Sequence, residues 1–150
     1  MREAFQRAFP ALAAQLGPQH VDSLLAACKP VELAADRKLF RDRMPVESLY
    51  LIIEGKLAVT LEEDTRSISL GTASPGQWLG EVSVLSGSML GSATVTTLTP
   101  CKALKLHYQD FDNLIRDNDH IANALLSNLI ELLASRLRVS AAAIGRMSGA

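Results

Sequence analysis

The chain has 150 residues, 48% of them hydrophobic and 21% charged, with a formal net charge of −1. That is the size of one domain with a substantial core, and so small a net charge gives no electrostatic reason to expect a nucleic-acid partner. Arg2, Glu3 and Arg7 interrupt the first apolar residues, so no signal-peptide core forms, and no apolar run is long enough to span a membrane. The expectation is a soluble, cytoplasmic protein without membrane contact. Cys28 and Cys101 stand apart, with neither CxxC spacing nor a neighbouring histidine, and read as ordinary buried thiols rather than disulfide or zinc ligands.

Ala4, Phe5, Ala8, Phe9, Leu12, Ala13 and Leu16 recur at helical spacing until Gly17-Pro18, with Pro10 as a kink inside the pattern. Val21, Leu24, Leu25 and Cys28 give a second short helix, stopped by Pro30. This helical prelude, over about residues 1–29, would cover one end of the remaining chain.

From Val31 the pattern changes to short runs separated by turn residues: Val31–Leu33, Lys38–Arg41, Ser48–Ile53, Lys56–Leu61, Arg66–Gly71, Gln77–Leu79, Ser92–Leu98 and Lys102–His107. Gly55 supplies the positive φ for a tight Glu54-Gly55 hairpin between the third and fourth runs, and Glu62-Glu63-Asp64 makes a charged hairpin tip. Eight strands at this spacing, over about residues 31–107, predict a double-sheet jelly roll.

The helical period then returns over about residues 108–147. Phe111, Leu114 and Ile115 mark a short helix, and Asn118 or Asp119 can cap a long one running from about His120 to Met147. In it Leu126, Ile130, Leu133, Leu137, Ser140, Ile144 and Met147 step by four and three as a heptad seam does, beside a second stripe of Leu125, Leu129, Leu132 and Val139. One stripe can pack on the sheets while the other meets a second copy, so Leu126, Ile130, Leu133, Leu137 and Ile144 are the expected dimer seam. The fold class is therefore α+β, mainly β: one domain over residues 1–150, a jelly roll with N-terminal helices and a long C-terminal dimerisation helix.

Between the sixth and seventh runs lies a glycine-rich stretch, Trp78 to Val95, with Gly80, Gly87 and Gly91 and one carboxylate, Glu81. Glycine there permits positive φ and close backbone approach, so the stretch can wrap around a small ligand or serve as a plain connection. Together with Ser48-Leu-Tyr-Leu-Ile-Ile-Glu-Gly-Lys-Leu57, Pro75-Gly-Gln-Trp-Leu-Gly-Glu81 and Ser92-Ala-Thr-Val95, it resembles the cyclic-nucleotide-binding domain family of bacterial catabolite activators and kinase regulatory subunits. The resemblance runs in order over roughly residues 20 to 145 and rests on several motifs in series. It implies a phosphate-binding cassette at Gly80–Val95, with Gly80, Glu81, Val82, Ser83, Gly91, Ser92 and Ala93 at a nucleotide. Glu81 would accept from the ribose hydroxyl, Ser92 would donate to the phosphate, and Ser140 of the long helix would face the purine. A helix opening near Glu81–Val84 could aim amides at the phosphate, with Val59, Leu61 and Val84 lining the base.

The chain departs from that pattern in one way that matters electrostatically. The family places an arginine just before Ser-Ala-Thr-Val, where its guanidinium forks onto the phosphate; here the position is Gly91, or Leu90 with a shorter loop. Glu81 is the only charged residue between Arg66 and Lys102, leaving Arg37, Arg41 and Arg43 as remote substitutes. Asp36 and Arg43 also stand where the family has glycine, which points to reshaped early turns.

The reading is thus a non-enzymatic regulatory domain with weak or altered binding of a cyclic nucleotide, cAMP or cGMP, no other cofactor or metal, and a separate output protein. Two alternatives stand beside it: a ligand-free dimeric interaction module, and the effector domain of a transcription regulator whose DNA-binding part is missing. His20, His107 and His120 are scattered along the sequence, and no nucleophile has a base beside it, so catalysis is not expected.

Overall fold

The computed structural model describes residues 1–41, 44–63, 66–80 and 93–147. Three helices open the chain, α1 (Arg2–Ala8), α2 (Pro10–Leu16) and α3 (Pro18–Ala27). Eight strands come next: β1 (Lys29–Leu33), β2 (Lys38–Phe40), β3 (Ser48–Glu54), β4 (Leu57–Glu63), β5 (Arg66–Ala73), β6 (Trp78–Leu79), β7 (Thr94–Thr97) and β8 (Cys101–His107). Helices α4 (Tyr108–Asp117) and α5 (Asp119–Met147) close the described chain. Pro10 does more than kink a single helix. Phe9 leaves helical geometry at φ −126°, ψ 63°, and Pro10 begins α2 at its first position, where its missing N–H costs nothing.

The strands form two antiparallel four-stranded sheets, β1-β8-β3-β6 and β2-β7-β4-β5, the jelly roll expected from the run spacing. The predicted Glu54-Gly55 hairpin does not form. Gly55 does turn the chain at φ +98°, but β3 pairs with β8 and β6 while β4 pairs with β7 and β5. The turn thus hands the chain from one sheet to the other. A Cβ at Gly55 would stand 2.5 Å from Cys101 Sγ, so close packing of this corner against β8 requires glycine as much as the turn does. The hairpin expected at the acidic tip does form, with β4 and β5 paired out to Glu63↔Arg66; Asp64 lies outside the described residues.

Alternation along β3 sorts the core into two layers. Leu49, Leu51 and Ile53 join Phe5, Phe9, Leu12, Leu16, Trp78, Leu104, Leu106, Phe111, Leu125 and Leu129 in a core between the first sheet and the helices. Ile52 joins Leu57, Ala73, Leu79, Val95, Cys101 and Ala103 between the sheets. The first sheet is covered on both faces, which explains the nearly unbroken apolar run of β3. The second is covered on one, and β5 is exposed at every residue from Arg66 to Thr72.

Asn118 starts α5 as expected: its Oδ1 accepts from the N–H groups of His120 and Ile121, at 3.0 and 3.1 Å. Among the described residues, no helix is long and apolar enough to cross a membrane.

Candidate ligand-binding site

The described frame holds the two ends of the glycine-rich stretch. The chain leaves the first sheet at Gly80, just after β6, and enters the second at Thr94, paired with Thr60 of β4. Gly80 adopts φ +87°, and a Cβ there would stand 2.6 Å from the Ser48 carbonyl oxygen and 3.3 Å from Phe40 Cζ. Both the backbone conformation and the space demand glycine. Of the predicted nucleotide contacts, Gly80 and Ala93 fall on this frame. Glu81, Val82, Ser83, Gly91 and Ser92 lie outside the described residues, as do Val84, Leu90 and Arg43. Ser140 is a helical position of α5 whose side chain is likewise outside them.

The surroundings of Gly80 are mostly apolar. Phe40 meets Tyr50 edge to face, with ring centroids 5.3 Å apart, and both pack on the inter-sheet core with half-buried Val59. Burial raises the Tyr50 phenol above its ordinary pKa, so the hydroxyl stays neutral at physiological pH. Leu61, also half-buried, lies two residues beyond Val59 on the same side of β4, opposite Ile68. Val59 and Leu61, the apolar lining the sequence suggests, are therefore both half-buried on one side of β4.

Arg37 and Arg41 are exposed. The β2–β7 register pairs Phe40 with Val95, which puts Arg41 one residue past that pair, beside the start of β7. Asp36 carries the turn before β2 at φ +60°, a conformation that Asp tolerates better than most residues. Thr97 fastens that turn: its Oγ1 accepts from the Arg37 N–H at 2.8 Å and donates to the Ala34 carbonyl at 2.7 Å.

On the other face of the first sheet, Trp78 is fully buried two residues before Gly80. Its indole N–H donates to Asn128 Oδ1 of α5 at 2.7 Å, and its ring meets Phe9 edge to face at 6.4 Å. The sequence reading missed this pairing, although an amide between Leu126 and Leu129 of α5 was a usable signal.

The stripes of α5 separate as the periodicity suggests. Leu125 and Leu129 are buried in the helix-side core and Leu132 packs against it. Leu126 and Ile130 are exposed, Ile130 by 65%, and Leu133 is half-buried. Leu137 and Ile144 are helical, with side chains outside the described residues.

The histidines are less scattered than their sequence positions imply. His20 and His120 come together with ring centroids 4.6 Å apart, and ring nitrogens of both approach the Leu16 carbonyl, at 3.0 and 3.1 Å. They join α3 to the start of α5. Among the described residues, no group of three or more His, Cys, Asp or Glu side chains is placed to hold a metal. Both cysteines are free; burial, with Asp110 nearby, pushes the Cys28 thiol up to about 12.

Residues 30–118 match the family model described as the cyclic nucleotide-binding domain. The cAMP-activated global transcriptional regulator CRP of Salmonella typhimurium is 26% identical over 125 residues, 83% of this chain and 58% of the regulator. The chain thus spans less than two thirds of that relative's length. Glutaminase 2 of Bradyrhizobium diazoefficiens is 26% identical over 148 residues, 99% of this chain but 23% of the enzyme. A cyclic nucleotide-binding domain from Methylobacillus flagellatus has the same fold, with a TM-score of 0.87 over 97% of this chain and 85% of that one, at 20% identity.

Proposed function

The chain belongs to the cyclic nucleotide-binding domain family, and on that premise we propose that it is one non-enzymatic, cytoplasmic regulatory domain that binds cAMP or cGMP weakly, or takes a different ligand. One observation carries the reading: between Arg66 and Lys102 the chain offers a single charge, that of Glu81, and it is negative. A charge-assisted hydrogen bond contributes about 1.5–3 kcal/mol net, so a cassette without its arginine binds a phosphodiester about ten- to a few-hundredfold more weakly. Amides at a helix start return only about 0.3–1 kcal/mol in exposed settings. The loss outweighs them.

In this reading the apolar stripe of Leu126, Ile130, Leu133, Leu137 and Ile144 joins two copies, and a ligand acts by shifting α5 between two arrangements. The output lies outside this unit. Similarity to parts of a transcription regulator and of a glutaminase supports a regulatory module used with different outputs. A second reading, a dimeric interaction module that needs no ligand, is favoured by the exposure of Ile130.

Equilibrium dialysis with labelled cAMP and cGMP tests the proposal. Retention is expected only well above micromolar nucleotide; saturation at or below micromolar would overturn it. Complete silence toward both nucleotides, with dimers seen by sedimentation, would favour the second reading.

A further inference from the structure

We propose that Asn128 is a positioning residue, which carries the conformation of the Gly80 end of the ligand segment to the outer stripe of α5 through its hydrogen bond with the Trp78 indole. The proposal rests on reading residues 80–95 as the ligand-binding segment.

Trp78 is held from three directions. Its backbone pairs with Leu51 of β3, its ring abuts Phe9 between α1 and α2, and its N–H reaches across the helix-side core to Asn128 at 2.7 Å. The side chain has no exposed surface, so breaking the bond costs more there than at a site where water can take the place of Asn128. Two residues on, Gly80 stands at φ +87°, so close to the Ser48 carbonyl and the Phe40 ring that an added Cβ would meet both. A shift at Gly80 is therefore passed back to Trp78 more readily than it is absorbed.

The same bond fixes α5. At about 100° per residue, Leu126 and Ile130 each lie about 160° around the helix from Asn128. The hydrogen bond grips the inner side of the helix, directly behind the exposed stripe. Leu125 and Leu129 hold that inner side by apolar contact, which tolerates small slides. A hydrogen bond with one donor and one acceptor sets both rotation and axial position.

Trp78 is the only tryptophan, so one indole N–H resonance in a nitrogen-15 correlation spectrum of the full chain reports the bond. Gly80→Ala serves as the perturbation, with chemical-shift changes read at the indole and at the α5 amides of residues 126–133. With Asn128 present, the substitution is expected to move both. In Asn128→Leu the α5 changes should fall at least twofold, while Asn128→Asp, which keeps an acceptor, should retain them. Equal α5 changes with and without the acceptor would overturn the proposal, as would α5 amides that do not move when Gly80 is changed beside Asn128. Where Gly80→Ala does not fold, Glu81→Gln replaces it, and where Asn128→Leu does not fold, Trp78→Phe removes the donor instead, with the α5 amides alone as the readout and the same two outcomes. No nucleotide is added, so failure to bind cAMP would count against the functional reading and leave this result standing.

Discussion

The inner and outer stripes of α5 are built from the same kind of side chain and meet opposite fates. Leu125 and Leu129 are sealed beneath α2, α4 and the first sheet, whereas Leu126 and Ile130 face outward. A step of one residue turns a side chain by about 100°, and that step separates core from free surface. Apolar character alone therefore does not mark the core of this domain. The neighbours on each side decide it, and among the described residues of the outer stripe Leu126 and Ile130 stay exposed while Leu133 is half-buried.

Breaking the inner stripe should have the largest effect. Leu129→Ala removes a fully enclosed side chain, and unfolding by urea should show a loss of about 2–5 kcal/mol. Asn118→Ala sharpens the contrast from the end of the helix. It leaves both stripes intact but strips the acceptor shared by the His120 and Ile121 amides, and should cost about 0.5–2 kcal/mol in the same assay. Ile130→Lys addresses the outer stripe. At dilutions where the chain is monomeric its stability should stay within about 0.5 kcal/mol of the parent, while sedimentation at higher concentration should show the mass reduced from dimer to monomer. An unchanged mass would remove the seam.

A smaller effect is expected from Cys28, which packs at the margin of the same helix-side core. Burial raises its thiol from 9.0 to about 12, so above pH 9 the unfolded chain releases a proton that the folded chain retains. Stability attributable to this group is intact below pH 9 and declines as pH rises toward about 12. Cys28→Ala should lose less stability between pH 8 and pH 10 than the parent, as read from urea midpoints; equal losses would remove Cys28 as the cause.

Much of this architecture was legible in the sequence because it is written in local periodicity. The strand runs, the Asn118 start and the division of α5 into stripes depend on residues close in the chain. What failed depends on distant partners. Gly55 looks like a hairpin glycine, and only the pairing of β3 with β8 and of β4 with β7 shows that it joins two sheets. His20 and His120 meet because α2 presents its last carbonyl to both, and Trp78 finds Asn128 across 50 positions. For the site, the motif at Pro75–Glu81 is one of several in series that carry the family likeness, and the need for glycine at Gly80 comes from the Ser48 carbonyl beside it. The missing cation is itself a sequence observation, since no lysine or arginine lies between Arg66 and Lys102.

The proposed weak binding turns on that missing cation, and restoring the cation tests it. Calorimetric titration of cAMP into the parent chain and into Gly91→Arg should show weak binding for the parent, well above micromolar, and a gain of about tenfold or more for the variant, the return expected of a charge-assisted bond. Submicromolar binding by the parent, or a folded variant that binds no better than the parent, would contradict it.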